Sequence, residues 1–197
     1  LKSSPPGSGK IPDLNLIFYL IRTNVCNTRD GTRLLVYNIS MSESVPRSPF
    51  FEQAERLRAD VFEFPSWREG QAEILAALGQ GENVLGVLPT GRGKSLCYQI
   101  PAMMGGSGIV LVVSPLIALM KDQVDAARAN GVRAAAIHSG LSRDEKEQVL
   151  RDVAKRSVTL LYATPERFRS EPFLEAIRAS GGVRLLAVDE AHCISTW

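Results

Sequence analysis

An α/β fold, with a parallel sheet covered by helices on both faces, is the class this sequence predicts, and three observations predict it. From Phe50 onward, short apolar runs alternate with stretches of helical spacing, the pattern of parallel strands joined by crossover helices. The first run, Val84 to Val87, leads straight into a glycine-rich loop that opens a helix. The last, Val183 to Val188, ends in adjacent carboxylates, Asp189 and Glu190. Both are features that α/β sheets carry at the C-terminal edge of their strands.

The elements follow in order. A helix is expected over 51–61, and the aromatic segment Phe64 to Trp67 introduces another over 69–79. The strand at 84–88 is followed by a helix over 94–104, where Leu96, Gln99, Ile100 and Met103 repeat at helical spacing. Strand Ile109–Val113 runs into Ser114-Pro115, a hydroxyl residue before a proline suited to the first helical position, and a helix over 116–130. Strand Ala134–Ile137 precedes a helix over 142–155, whose run Arg143 to Glu147 reads as a solvated face. A strand at 159–162 repeats the earlier device in Thr164-Pro165, and a helix over 172–180 leads to the last strand, 185–188.

Between strand and helix stands Leu88-Pro89-Thr90-Gly91-Arg92-Gly93-Lys94-Ser95. Small residues let successive backbone N–H groups curl around phosphate oxygens, a lysine reaches the outer phosphates, and a hydroxyl serves the magnesium ion. Gly91, Gly93, Lys94 and Ser95 supply these parts in order, and the helix that follows favours anions at its N-terminus. The strict pattern wants glycine where Leu88 stands, so this is the relaxed form. A plain glycine turn is the bland alternative, and the carboxylates at the far end weigh against it. On a parallel sheet, Asp189 and Glu190 fall beside the loop, where Asp189 can hold magnesium and Glu190 can orient or deprotonate water. His192 follows within reach of the γ-phosphate. Arg92 occupies a position where a small residue is usual, and tolerance is expected.

Composition is permissive. The 197 residues are 45% hydrophobic and 22% charged, enough for one domain with a sizeable core, and a net charge of +2 is too mild to argue for nucleic acid by itself. Cys26, Cys97 and Cys193 lack paired spacing, so neither disulfides nor zinc are indicated, and a reducing cytoplasm is the simplest compartment. Residues 1–49 read as a poorly ordered extension, with linker-like Ser3 to Gly9 and an apolar run, Leu14 to Ile21, too short to span a membrane. A signal peptide is the alternative there; the natural start is expected near Met41.

From Phe64 to Trp197 the residues are similar to those of the RecQ family of DNA helicases, within superfamily 2. The blocks are Phe64 to Gln71, Leu88 to Ala102 with Leu96-Cys97-Tyr98-Gln99, Ser114 to Val124, Ala163 to Arg167, and Asp189 to Trp197. The likeness covers about residues 51–197 and implies a first RecA-like P-loop NTPase domain over 50–197, with ATP and Mg2+ as cofactors. It implies that Phe64, Arg68 and Gln71 recognise adenine, that Thr90, Gly91, Arg92, Gly93, Lys94 and Ser95 cradle phosphates, and that Lys94, Asp189, Glu190 and His192 are catalytic. Ser95 and Asp189 would hold the metal. By composition alone Phe64 and Trp67 read equally as core aromatics.

The resemblance also implies single-stranded and duplex DNA as partners, touched by Ser114, Lys121, Thr164, Arg167 and Trp197, with Arg169 nearby. Plain helix capping is the alternative for Ser114 and Thr164, and Trp197 would open an aromatic-rich loop suited to base stacking. His138 reads as a structural or surface histidine. In a parent enzyme ATP hydrolysis would drive 3′-to-5′ unwinding in recombination and repair, with a second RecA-like domain following and supplying arginine fingers. Two rival readings remain: a nucleotide- and DNA-binding module without catalysis, and an RNA helicase of the same superfamily.

Overall fold

Strand β4, Ile109–Val113, is apolar and buried at all five positions, as a strand covered on both faces must be. Its alternate residues enter two different cores. Val110 and Val112 pack under α1 (Pro49–Asp60), α2 (Gln71–Gly79), α3 (Leu96–Met103) and α4 (Ile117–Ala129). Ile109, Leu111 and Val113 pack under α5 (Arg143–Ala154) and α6 (Glu171–Ser180). The neighbours repeat the division: on β6 (Leu160–Ala163), Leu160 and Tyr162 face the first core and Leu161 and Ala163 the second. The period-two alternation of strand side chains makes a three-layer molecule.

The computed structural model describes residues 15–22, 34–37, 47–89 and 93–191. With β1 (Asn15–Arg22), β2 (Leu34–Tyr37), β3 (Asn83–Pro89), β5 (Ala134–Ile137) and β7 (Val183–Val188), the sheet has the order β2-β3-β1-β7-β4-β6-β5. β2 pairs with β3, and β7, β4, β6 and β5 pair in turn, all in parallel. β1 lies antiparallel between β3 and β7. The sequence places no element before residue 50; two strands of this sheet come from there. Strand pairing over such separations leaves no local trace.

Predicted and observed elements agree closely downstream, because caps and breakers stand where the periodicity changes. Ser48 accepts from Phe51 N–H to start α1, and Ser142 with Glu145 closes a reciprocal capping box on α5. The hydroxyl-proline devices differ from expectation. Ser114 is not the cap of α4, since Leu116 takes that place and its N–H donates to Ser114 Oγ at 3.3 Å. Thr164-Pro165 opens only a short 3₁₀ turn, Pro165–Arg169, and α6 begins after Ser170 with its own proline.

One interruption was passed over in the sequence. Arg184 breaks the apolar run of β7, and its guanidinium is partly buried against α3. Nη2 donates to the Pro101 carbonyl at 2.8 Å, and Nη1 to the carbonyls of Met104 and Gly105 at 2.7 and 3.1 Å. These carbonyls stand at the C-terminal end of α3; that of Pro101 also accepts from Met104 N–H at 3.2 Å, and those of Met104 and Gly105 lie past the last turn. Burial lowers the guanidinium's affinity for its proton, with the charge of Arg133 adding to the effect.

Candidate functional site

The parallel strands bring their C-terminal ends to one edge, and the chemistry gathers there. Asp189 N–H donates to the Val113 carbonyl at 2.8 Å, which fixes the turn after β7 against β4. Asp189 Oδ1 accepts from Glu190 N–H at 3.1 Å and from Lys94 Nζ at 3.0 Å. Glu190 Oε1 lies 3.9 Å from the same Nζ. The side chains of Lys94, Asp189 and Glu190 are only 12%, 20% and 10% exposed, so the ammonium is held by two carboxylates at a partly desolvated point. Glu190 stands at φ +54°, a left-handed conformation unusual for a residue with a side chain. Such strain concentrates at functional sites.

The loop side is built as tightly. Gly93 has φ +75°, the left-handed region that favours glycine, and a Cβ there would lie 2.7 Å from Gln71 Nε2 and force that amide to move. Gln71 is 2% exposed; its Nε2 donates to the Gly93 carbonyl at 2.9 Å, and its Oε1 accepts from Arg68 N–H at 2.9 Å. The amide expected at an adenine edge therefore ties the Arg68 turn to the phosphate loop. Arg68 itself is exposed, with Nη1 3.6 Å from where a Gly93 Cβ would stand. Phe64 is 43% exposed and stacks on Phe62 at 6.3 Å, leaving ring surface to solvent. Trp67 instead packs against Phe51 and under the Arg58 guanidinium, which donates to the Phe64 carbonyl. Of the two aromatics, Trp67 is the core residue.

Ser95 Oγ donates to Gln123 Oε1 on α4 at 3.2 Å. Behind it, the buried rings of Tyr98 and Tyr162 meet edge to face at 6.1 Å. Burial pushes the Tyr98 phenol well above its ordinary range, with the charges of Tyr162 and Asp189 adding to the rise and Ser95 as a hydrogen-bonding neighbour that opposes it. Burial raises Tyr162 to about 12 and the Cys97 thiol to about 12, so all three stay protonated. Ser95 Oγ and the Asp189 carboxylate are hard oxygen donors of the kind magnesium takes. Thr90, Gly91, Arg92, His192 and Trp197 lie outside the described residues.

The expected DNA residues lie farther along the same edge. Ser114 N–H donates to the Ala163 carbonyl, and Thr164 N–H to the Ile137 carbonyl, which sets β4, β6 and β5 side by side at their ends. The hydroxyls of Ser114 and Thr164 are buried; Thr164 Oγ1 donates to Glu166 Oε1 at 2.5 Å. Their side chains thus serve the local turns. Lys121 is exposed on α4, whereas Arg167 is half-buried with Nη2 3.8 Å from Glu166 Oε1. His138 follows β5 with a buried Nδ1 that has no hydrogen-bond partner. Leu116, Ile117, Leu119 and Phe168 add exposed apolar surface that the sequence reading did not single out. Among the described residues no group of His, Cys, Asp and Glu is arranged to hold a metal by itself, and no helix is long and apolar enough to cross a membrane.

The DEAD/DEAH box helicase family model matches residues 68–197. The chain is 45% identical over 137 residues to the ATP-dependent DNA helicase RecQ of Haemophilus influenzae, a match covering 70% of this chain and 22% of that protein. It is 43% identical over 146 residues to the RecQ helicase of Bacillus subtilis, covering 74% and 24% respectively. With the ATP-dependent DNA helicase Q5 of Mus musculus the figures are 41% over 162 residues, 77% and 16%. The matched segment spans about a fifth of the length of these relatives.

Proposed function

The chain belongs to the DEAD/DEAH box helicase family, with RecQ-type DNA helicases among its relatives, and on that premise we propose that it binds ATP and serves as the nucleotide-binding motor domain of a 3′-to-5′ DNA helicase. The observation that carries this is Lys94 Nζ lying between Asp189 and Glu190, 3.0 and 3.9 Å from their oxygens. An ammonium so placed can leave Asp189 for the outer phosphates when nucleotide enters. Asp189 is then freed as an oxygen donor, and Glu190 is poised to orient or deprotonate the attacking water. Ser95 and Asp189 would hold magnesium, which when bound neutralises charge on the phosphates.

Phe64, Arg68 and Gln71 form the adenine end in this reading. The half-exposed Phe64 ring offers a stacking face, and Gln71 would exchange its bond to Gly93 for the base. Thr90, Gly91, Arg92 and Gly93 would cradle phosphate, with His192 at the γ-phosphate. DNA would track past the ends of β4 and β6, touching backbone at Ser114 and Thr164, charge at Lys121 and Arg167, and the ring of Trp197. The N–H groups of Ser114 and Thr164 are already donated to Ala163 and Ile137, so in this reading the two residues shape the turns that DNA passes, and Lys121 and Arg167 supply the charge, a mode that reads no sequence. The relatives are named as DNA helicases, so the RNA alternative is not favoured.

Turnover in this superfamily also draws on arginine fingers from a second RecA-like domain, so nucleotide binding is the property that tests these residues directly. A cytoplasmic place fits an ATP-driven enzyme. The test is titration of the chain with a fluorescent ATP analogue, with and without Mg2+ and a single-stranded oligonucleotide. Saturable, Mg2+-dependent binding that Lys94→Ala removes supports the site; binding that Lys94→Ala leaves unchanged sinks it.

A further inference from the structure

Gln123 belongs to no block of the nucleotide site as read from the sequence, yet it is the side chain that holds the Ser95 hydroxyl. It is half-buried on α4, twenty-eight positions from Ser95, and its Oε1 accepts the hydroxyl proton at 3.2 Å. A serine hydroxyl has one proton and two lone pairs, and which of these it presents depends on where the proton goes. Asp189 Oδ1 already accepts from Lys94 and from Glu190 N–H, and the amide oxygen of Gln123 is the acceptor to which the fold directs the Ser95 proton.

We infer that Gln123 is a positioning residue for the metal side of the nucleotide site: its carbonyl oxygen takes the Ser95 proton, so that the Ser95 oxygen faces an entering cation with lone pairs alone. The inference rests on the reading of Ser95 as a magnesium donor. A partner of this kind acts on metal affinity through the ligand it orients. Its loss therefore changes how much Mg2+ nucleotide binding needs, and leaves the Mg2+-free affinity alone.

The experiment is nucleotide-analogue binding to the full chain across a Mg2+ titration, for wild type, Gln123→Ala, Gln123→Met and Gln123→Glu. Gln123→Ala and Gln123→Met, which remove the acceptor, are expected to raise the Mg2+ concentration for half-maximal binding about tenfold. Gln123→Glu, which keeps an oxygen there, is expected at or below the wild-type requirement. Gln123→Met preserves side-chain length, so it carries the test if Gln123→Ala fails to fold. An unchanged Mg2+ requirement in the variants that fold overturns the inference, as does an equal loss of affinity without Mg2+, the mark of a purely structural role. A wild-type chain whose nucleotide binding ignores Mg2+ would instead overturn the functional reading beneath it.

Discussion

Lys94 Nζ and Asp189 Oδ1, ninety-five positions apart in sequence, lie 3.0 Å apart in the fold. That bond joins the loop after β3 to the turn after β7, across the intervening β1. It is made by a cation and an anion that are both mostly withdrawn from water, so each depends on the other. Lys94→Ala would leave Asp189 and Glu190 without their cation. The expected result is a fall in nucleotide affinity of about 100-fold, the magnitude typical of truncating one member of a desolvated charge pair, together with a lowered thermal midpoint. Isothermal titration and calorimetry read the two effects separately.

Glu190 sits in the left-handed region, where a Cβ costs about 1 kcal/mol or more. Glycine should therefore be the better replacement, although it is the more flexible residue in the unfolded chain. Glu190→Gly is expected to be more stable than Glu190→Ala by about 1 kcal/mol, while both lose any residual hydrolysis and keep nucleotide binding. Urea midpoints for the pair decide it: an alanine variant as stable as the glycine one would mean that the turn relaxes.

Gly93 and Gln71 are coupled in the same physical sense. A methyl at Gly93 meets Gln71 Nε2 at 2.7 Å and also carries the cost of a positive φ. Gly93→Ala is expected to destabilise by about 1–3 kcal/mol and to weaken nucleotide binding. In a Gly93→Ala and Gln71→Ala double variant the clash is gone but the φ cost stays. The two losses should then sum to less than their separate values, and simple additivity would show that the contact carries nothing.

The buried acids predict a weakness at high pH. Cys97 and Tyr162 are raised to about 12 from 9.0 and 10.0, and Tyr98 well above 10.0, chiefly by burial. The folded chain thus holds these protons more tightly than the unfolded one. Their contribution is complete below pH 9.0, the lower of these starting values, and is lost as pH climbs towards about 12. While a group is ionised only in the unfolded state, it lowers stability by about 1.4 kcal/mol per pH unit. Tyr162→Phe should flatten that decline in urea titrations at pH 8 to 11, and an unchanged slope would count against the buried phenol as its source.

How far the sequence reached depends on how local each cause was. Periodicity and turn residues placed the elements from α1 to β7 within about two residues, because caps such as Ser142 with Glu145 act over three positions. Lys94, Ser95, Asp189 and Glu190 were legible as residue types in a known order, and the sheet brings them together. Gln123 lay inside the block Ser114 to Val124 but without a role, since nothing in a helix of mixed residues marks the amide that will meet a hydroxyl from another element. The pairing of β1 was hidden for the same reason. Gln71 was found, but the bond it makes to Gly93 was not, because side-chain direction follows from packing.

Arg184 holds the end of α3 through backbone carbonyls that no sequence pattern marks. A cation inside an apolar strand looks like an exposed interruption, and no carboxylate near it in sequence suggests a partner. Its partners are the carbonyls of Pro101, Met104 and Gly105, where α3 ends; of these Pro101 also accepts a backbone N–H, from Met104. The guanidinium suits them because its planar fork presents several donors at fixed directions, which an ammonium cannot reproduce. Arg184→Met should cost about 1–3 kcal/mol by leaving the Met104 carbonyl in particular unmet in a partly buried place, and Arg184→Lys should recover only part of the loss. The residue lies at the start of β7 and the carboxylates at its end, so nucleotide affinity should not move. A stability change without an affinity change is the expected pair of results; a parallel fall in both would place Arg184 in the workings of the site.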